Sequence, residues 1–202
     1  MNTHVLIDLE TLSTRKNAAI IQIAAVAFDP ATGAALSEFN VFVSDGADHG
    51  HVDTQTVAWW MQQDAAYRVG HGVSNGTILQ CALLDLLDWF KLRGPFAGVW
   101  SHGASFDLAV LASALDAVGM PQLWERGVER DTRTLYALTG GAPAVAQPEG
   151  FVKHDALHDA RLQSAQVSAA LGLLRVQADR AEQWRTETEQ RDTRLTINGR
   201  SF

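Results

Sequence analysis

A single cysteine, Cys81, stands in a chain of 202 residues. One thiol builds no disulfide framework within a chain, so a reducing compartment is the expectation. Cys81 falls in an apolar run with helical spacing, where a free Cys packs as a small hydrophobe. Long apolar stretches are missing as well, since none reaches the ~18 residues that a membrane span requires. The N-terminal MNTHVLIDLE lacks a basic leader, and Asp8 and Glu10 break its apolar run at once. It does not read as a signal peptide, and the cytoplasm is the expected location. Basic charge is also scarce: 16 Lys and Arg face 23 Asp and Glu, a net charge of −7. That excludes a protein held on nucleic acid mainly by a broad basic surface. It leaves room for an enzyme that grips a strand end through metal ions. From Arg175 onward six Arg nearly balance five acids, so the acidic excess lies in the preceding part. A carboxylate cluster that binds divalent cations would account for some of it.

There are no internal repeats and no low-complexity segments. With 47% apolar and 19% charged residues, the chain has the composition of one ordinary globular domain. Alternation and turn chemistry predict strands over Val5 to Glu10, Ile20 to Phe28 and Leu36 to Val43, the last two joined through Asp29-Pro30-Ala31-Thr32-Gly33. Ser44 to Asp53 reads as a loop. Helical spacing covers Thr54 to Gln63 and Gly76 to Arg93. A short buried strand follows over Phe96 to Trp100, then a helix to Gly119 with Ser105 as its cap. Val128 to Asp131 forms a further strand, and the next helix ends near Gly140. A loop from Gly141 to Lys153 precedes a long helix capped by Asp155. Strands first and then strands alternating with helices give an α/β domain with a mixed sheet flanked by helices, an order that suits a ribonuclease H-like core. The expected division is a domain over 1–176 and a polar extension over 177–202.

Asp8 and Glu10 lie two apart on the first strand, so they share a face with Leu6, while Val5, Ile7 and Leu9 point the other way. Two neighbouring carboxylates on a buried strand repel unless a cation sits between them. On an edge strand both would simply be solvated. Asp107 sits in the first turn of a helix, where an acid complements the helix dipole. Its context WSHGASFD is also the strand-to-helix junction at which α/β folds bind ligands. In HDALHDA, His154 and Asp159 do not share a helical face, but His154 precedes the helix if Asp155 caps it. Periodicity alone pairs Asp155 with Asp159, or His154 with His158, and the latter spacing also fits zinc.

In order, Asp8-Leu9-Glu10-Thr11, Phe106-Asp107, and His154 with Asp159 resemble the DEDDh 3′→5′ exonuclease superfamily over Val5 to about Val176. The segments Trp59-Trp60-Met61-Gln62-Gln63, Val99-Trp100-Ser101-His102-Gly103, Arg130-Asp131-Thr132-Arg133-Thr134-Leu135 and His154 to Ala160 look like its branch of small phage, bacterial and mycobacterial exonucleases. That branch includes phage DNA exonucleases, the exonuclease VIII type and a mycobacterial exoribonuclease. His158 departs from the acid or other polar residue common at its position. The resemblance implies that Asp8, Glu10, Asp107 and Asp159 bind metal and that His154 is the general base. It implies nucleotide contacts for Thr11, Leu12 and Phe106. Trp59 and Trp60 read equally well as packing residues, and Arg133 as a phosphate ligand or an exposed helix-start cation. His49, His51, His71 and His102 receive no role.

The same resemblance implies two Mg²⁺ or Mn²⁺ ions per site and hydrolysis of terminal phosphodiesters to nucleoside 5′-monophosphates. The expected partner is a nucleic acid 3′ end, single-stranded DNA or a 3′ overhang first, with RNA as the alternative substrate. A homodimer through Gln177 to Phe202 is a further expectation, and no membrane is expected. Two competitors are a non-catalytic binding module of the same fold, which would be expected to have lost an acid, and a zinc hydrolase built on His154 and His158.

Overall fold

The computed structural model describes residues 2–148 and 150–198, the side chains of 191–198 excepted. Three strands come first, β1 (His4–Thr11), β2 (Ile20–Phe28) and β3 (Ala35–Phe42). The helices α1 (Gly46–His49), α2 (Thr54–Trp60), α3 (Ala66–Ser74) and α4 (Leu79–Arg93) follow. Then β4 (Gly98–Ser101), α5 (Asp107–Ala117), a 3-10 turn, β5 (Glu129–Asp131), α6 (Thr132–Thr139) and α7 (Ala156–Asn198) complete the fold. The five strands form one mixed sheet in the order β3-β2-β1-β4-β5. β1, β2 and β3 are an antiparallel meander, whereas β1–β4 and β4–β5 pair in parallel. Parallel neighbours need crossover connections, and α4 and α5 supply them.

β1 lies at the centre of the sheet, so its alternation sorts two cores. Val5, Ile7 and Leu9 face a cluster with Leu83, Leu86 and Phe90 of α4 and Leu108, Leu111 and Leu115 of α5. Leu6 faces the other side, with Val26, Phe28 and Trp100, against α6 and Ala160, Val167 and Ala170 of α7. Each large aliphatic side chain buried here stabilises the fold by about 1.5–3 kcal/mol. Asp8 and Glu10 therefore emerge on the α7 side of a fully covered strand. An edge strand with solvated acids does not describe them, since each is only 8% exposed.

Four local readings need correction. The segment Ser44 to Asp53 contains the one-turn helix α1. The stretch between the two expected helices also forms a helix, α3, although its nine residues include two glycines. Ser105 does not cap α5; Phe106 occupies the cap position, its N–H donating to the Gly103 carbonyl at 2.7 Å. Cys81 is exposed, on the side of α4 opposite Leu79, Ala82, Leu83 and Leu86. Asp155 does cap α7, accepting from the His158 N–H at 3.3 Å. That helix runs unbroken through 43 residues, so the described part of the expected polar extension is helical. Residues 199–202 of that extension lie outside the described residues.

Candidate active site

Beyond the carboxyl end of β1, the sheet opens between α5, the loop ahead of α7 and the first turns of α7. Alternation brings Asp8 and Glu10 into this cleft together. Asp107 enters from the start of α5, and its Oδ1 accepts the Leu9 N–H at 3.3 Å. That bond ties the helix to the strand between the two acids. Asp159 enters from α7 and accepts the His154 N–H through Oδ2 at 2.7 Å. His154 holds a left-handed backbone, φ 65°, and is alone in this among the described non-glycine residues. Such a conformation costs on the order of 1–3 kcal/mol and persists only where the surroundings enforce it. Here the bond to Asp159 and two tryptophans enforce it. The His154 ring meets the edge of Trp59 at 4.8 Å between centroids and that of Trp60 at 6.5 Å. Trp60 is itself pinned, its Nε1 donating to the Thr11 carbonyl at 2.9 Å.

All five sequence-selected residues, Asp8, Glu10, Asp107, His154 and Asp159, line one cavity of about 350 Å³. Ligand atoms of Glu10, His154 and Asp159 lie within 4.8 Å of one another. Burial, then the neighbouring negative charges, raises Asp8 well above the ordinary carboxylate range. The same causes push Glu10 up to about 9. Burial pushes Asp107 up to about 7, against the Leu9 N–H, which lowers it. Asp159 is also raised by burial. Burial lowers His154, while Asp159 opposes this. No Lys or Arg forms a salt bridge with any of the four acids among the described residues. Lys153 lines the same cavity without an ion pair to the acids, and the four crowded carboxylates are an all-oxygen donor set for hard divalent ions.

His158 points elsewhere. Its Nδ1 accepts from the Val152 N–H at 3.0 Å, and its ring stacks on Phe151. His158 joins no group of three or more potential metal ligands among the described residues, so the zinc reading lacks a ligand set. Of Thr11, Leu12 and Phe106, only Thr11 and Phe106 line a second opening of about 480 Å³ beside the first. Phe106 lines both and Thr11 lines the second, with Gln55, Thr56 and Trp59. The Thr11 hydroxyl already donates to the Ser13 carbonyl at 2.8 Å. Leu12 packs half-buried against the cluster of Ile21, Trp60 and Val69.

Three supporting residues escape a reading by motif. Gln22, fully buried in β2 opposite Glu10, accepts the Ala156 N–H at 3.1 Å and donates to Asn40 at 2.9 Å. It sets the first residue of α7 against the sheet. Its signal was present: one amide inside the apolar run IIQIAAVAF. Gln163 donates to Asp8 Oδ1 at 3.2 Å, while its buried Oε1 has no protein partner. Arg68 of α3 pairs with the buried carboxylate of Asp155, bracing the residue next to His154.

This sheet order, with acids on its central strand and a histidine ahead of the last helix, is that of a ribonuclease H-like fold. Residues 3–171 match the model of the 3′-5′ exoribonuclease Rv2179c-like domain, and the chain belongs to that family. It is 28% identical over 193 residues to an exodeoxyribonuclease of Enterobacteria phage T4, covering 76% of this chain and 82% of that protein. Its fold is similar to the nuclease domain of 3′hExo, a DEDDh family member bound to rAMP. That match has a TM-score of 0.57 at 11% identity and covers 85% of this chain and 92% of that one. It is also similar to E. coli exonuclease I in complex with a dA16 oligonucleotide, with a TM-score of 0.60 at 14% identity. There it covers 82% of this chain but 40% of that one.

Proposed function

We propose that the chain shortens single-stranded DNA and 3′ overhangs from the 3′ end, with two Mg²⁺ or Mn²⁺ ions, releasing nucleoside 5′-monophosphates. The observation that carries this reading is the convergence of Asp8, Glu10, Asp107, Asp159 and His154 on one cleft. The four acids would hold the ions, whose chemistry is to neutralise phosphate charge and to make water acidic enough to attack. His154, whose ring burial lowers from the ordinary imidazole value, accepts the proton of the attacking water. Its ring is oriented by Trp59 and Trp60, and its backbone by Asp159. Gln163 keeps one Asp8 oxygen engaged, which fixes how the carboxylate faces the cleft. Phe106 and Trp59 offer apolar faces on which any base stacks, as an enzyme indifferent to sequence needs.

The DNA preference draws on the phage exodeoxyribonuclease. The family description favours a second reading, in which the same site trims RNA. Only a contact to the 2′-hydroxyl separates the two. The deciding assay incubates 5′-labelled single-stranded DNA, duplex DNA and RNA with Mg²⁺ and with Mn²⁺. A ladder growing from the 3′ end of the single-stranded DNA, faster than from RNA, is the expected result. Asp8→Ala and Asp107→Ala should each abolish it without unfolding the protein; unchanged activity in either variant contradicts the assignment.

A further inference from the structure

The residues Arg130 to Thr134 have no part in the chemistry above, yet they hold the loop that carries His102 into the cleft. Asp131 caps α6, its Oδ1 accepting the Arg133 N–H at 2.7 Å. Its Oδ2 accepts the Ala104 N–H at 2.8 Å, so the same carboxylate staples the β4–α5 loop to α6. Next to it, Thr132 Oγ1, fully buried, lies 2.7 Å from His102 Nδ1. This fixes the His102 ring and leaves its Nε2 free, and His102 lines the cavity that holds the acids. Gly103 follows with φ +110°, a conformation that side chains rarely adopt. The Arg133 guanidinium lies over it: a Cβ at Gly103 would come within 3.3 Å of Cζ and Nη1. Among the described residues this exposed guanidinium has no hydrogen-bond or salt-bridge partner. It is nonetheless close enough to Asp107 to lower that carboxyl and close enough to His102 to lower its ring.

A cation held over the loop that carries His102 into an acidic cleft, pinned by its backbone and left with five unused donors, fits an anion outside the protein. We propose that Arg133, with His102 beside it, binds a backbone phosphate of the strand upstream of the scissile bond. The inference rests on the exonuclease reading and identifies where the uncut strand is gripped. It answers a difficulty that the reading raises. A chain of net charge −7 with four acids in its cleft repels every phosphate that a metal ion does not neutralise. Arg133 offers a planar fork for two phosphate oxygens, which a flexible lysine does not.

The test compares two substrates on Arg133→Gln and Arg133→Lys. One is a single-stranded oligonucleotide. The other is thymidine 5′-(p-nitrophenyl phosphate), which has a cleavable diester and no upstream phosphate. For Arg133→Gln, kcat/KM on the strand falls roughly 10-fold, mainly through KM. The loss on the ester is at least 5-fold smaller. The dependence of log kcat/KM on log salt, between about 50 and 200 mM, becomes shallower by about 0.7 for one lost phosphate contact. Arg133→Lys keeps the salt slope and recovers part of the KM. Equal losses on both substrates, or an unchanged salt slope, overturn the phosphate contact while leaving the exonuclease intact. If the wild-type protein cleaves neither substrate, the exonuclease reading fails and the contact fails with it.

Discussion

His154, the proposed proton acceptor, also holds a backbone turn that most side chains resist. His154→Ala removes the ring and keeps the strain, and the rate should fall roughly 10²–10⁴-fold at neutral pH. His154→Gly removes the ring and relaxes the turn. It should therefore be at least as stable as the alanine variant, and added imidazole should restore part of its rate in a saturable way. Steady-state assays with an imidazole titration check this, and the absence of any rescue would argue that the ring does more than accept a proton. At this scale the motif residues were legible: alternation put Asp8 and Glu10 on one face, and the Asp155 cap freed His154 from the helix. The choice of His154 over His158 was not legible from spacing. In the structure His154 lines the cavity with the acids, whereas His158 lies outside that lining and its Nδ1 accepts the Val152 N–H. Gln22, Gln163 and the Trp59–Trp60 platform were not legible either. Their partners lie 134, 155 and 95 residues away, and no local pattern encodes such contacts.

Among the elements, the sheet was the most legible part. Strong alternation and the Asp29–Gly33 turn announced the meander, and β1 proved central as two buried faces require. The shortest helices were not, because α1 and α3, of four and nine residues, are too short to be stable by themselves and depend on what they pack on. The helix α3 matters out of proportion to its weak signal. Through Arg68 it holds the buried Asp155 carboxylate, and with it the first turn of α7. Arg68→Ala should cost about 1–3 kcal/mol, less than for a fully buried pair because the arginine is half exposed. Urea unfolding would measure the loss. An effect below about 0.5 kcal/mol would mean that water replaces the guanidinium without penalty.

For the whole molecule, the crowded acids couple stability to pH and to divalent cations. In the folded, cation-free protein Glu10 retains its proton up to about 9 and Asp107 up to about 7. An unfolded chain releases both near the ordinary carboxylate values of about 4. The folded state thus binds more protons over that window, so stability falls as pH rises from about 4 toward 9. Melting curves in EDTA should show Tm dropping across this range. Mn²⁺ should raise Tm most at the alkaline end, where the acids are ionised. A flat profile in EDTA would show that the four carboxyls do not crowd one another as the structure places them.

The length of α7 has a mechanical consequence. Arg175 donates to the Pro30 carbonyl, and from there to residue 190 the side chains of α7 are almost all exposed. From Arg175 to Asn198 the helix extends about 35 Å further. A lone copy therefore carries a projecting rod, and its frictional ratio should exceed that of a compact particle of 21.9 kDa. Ending the chain at Val176 should lower that ratio and leave 3′-end shortening intact, because the whole acidic cleft lies before the cut. If the full chain instead sediments as a dimer and the shortened one as a monomer, the rod is where two copies join.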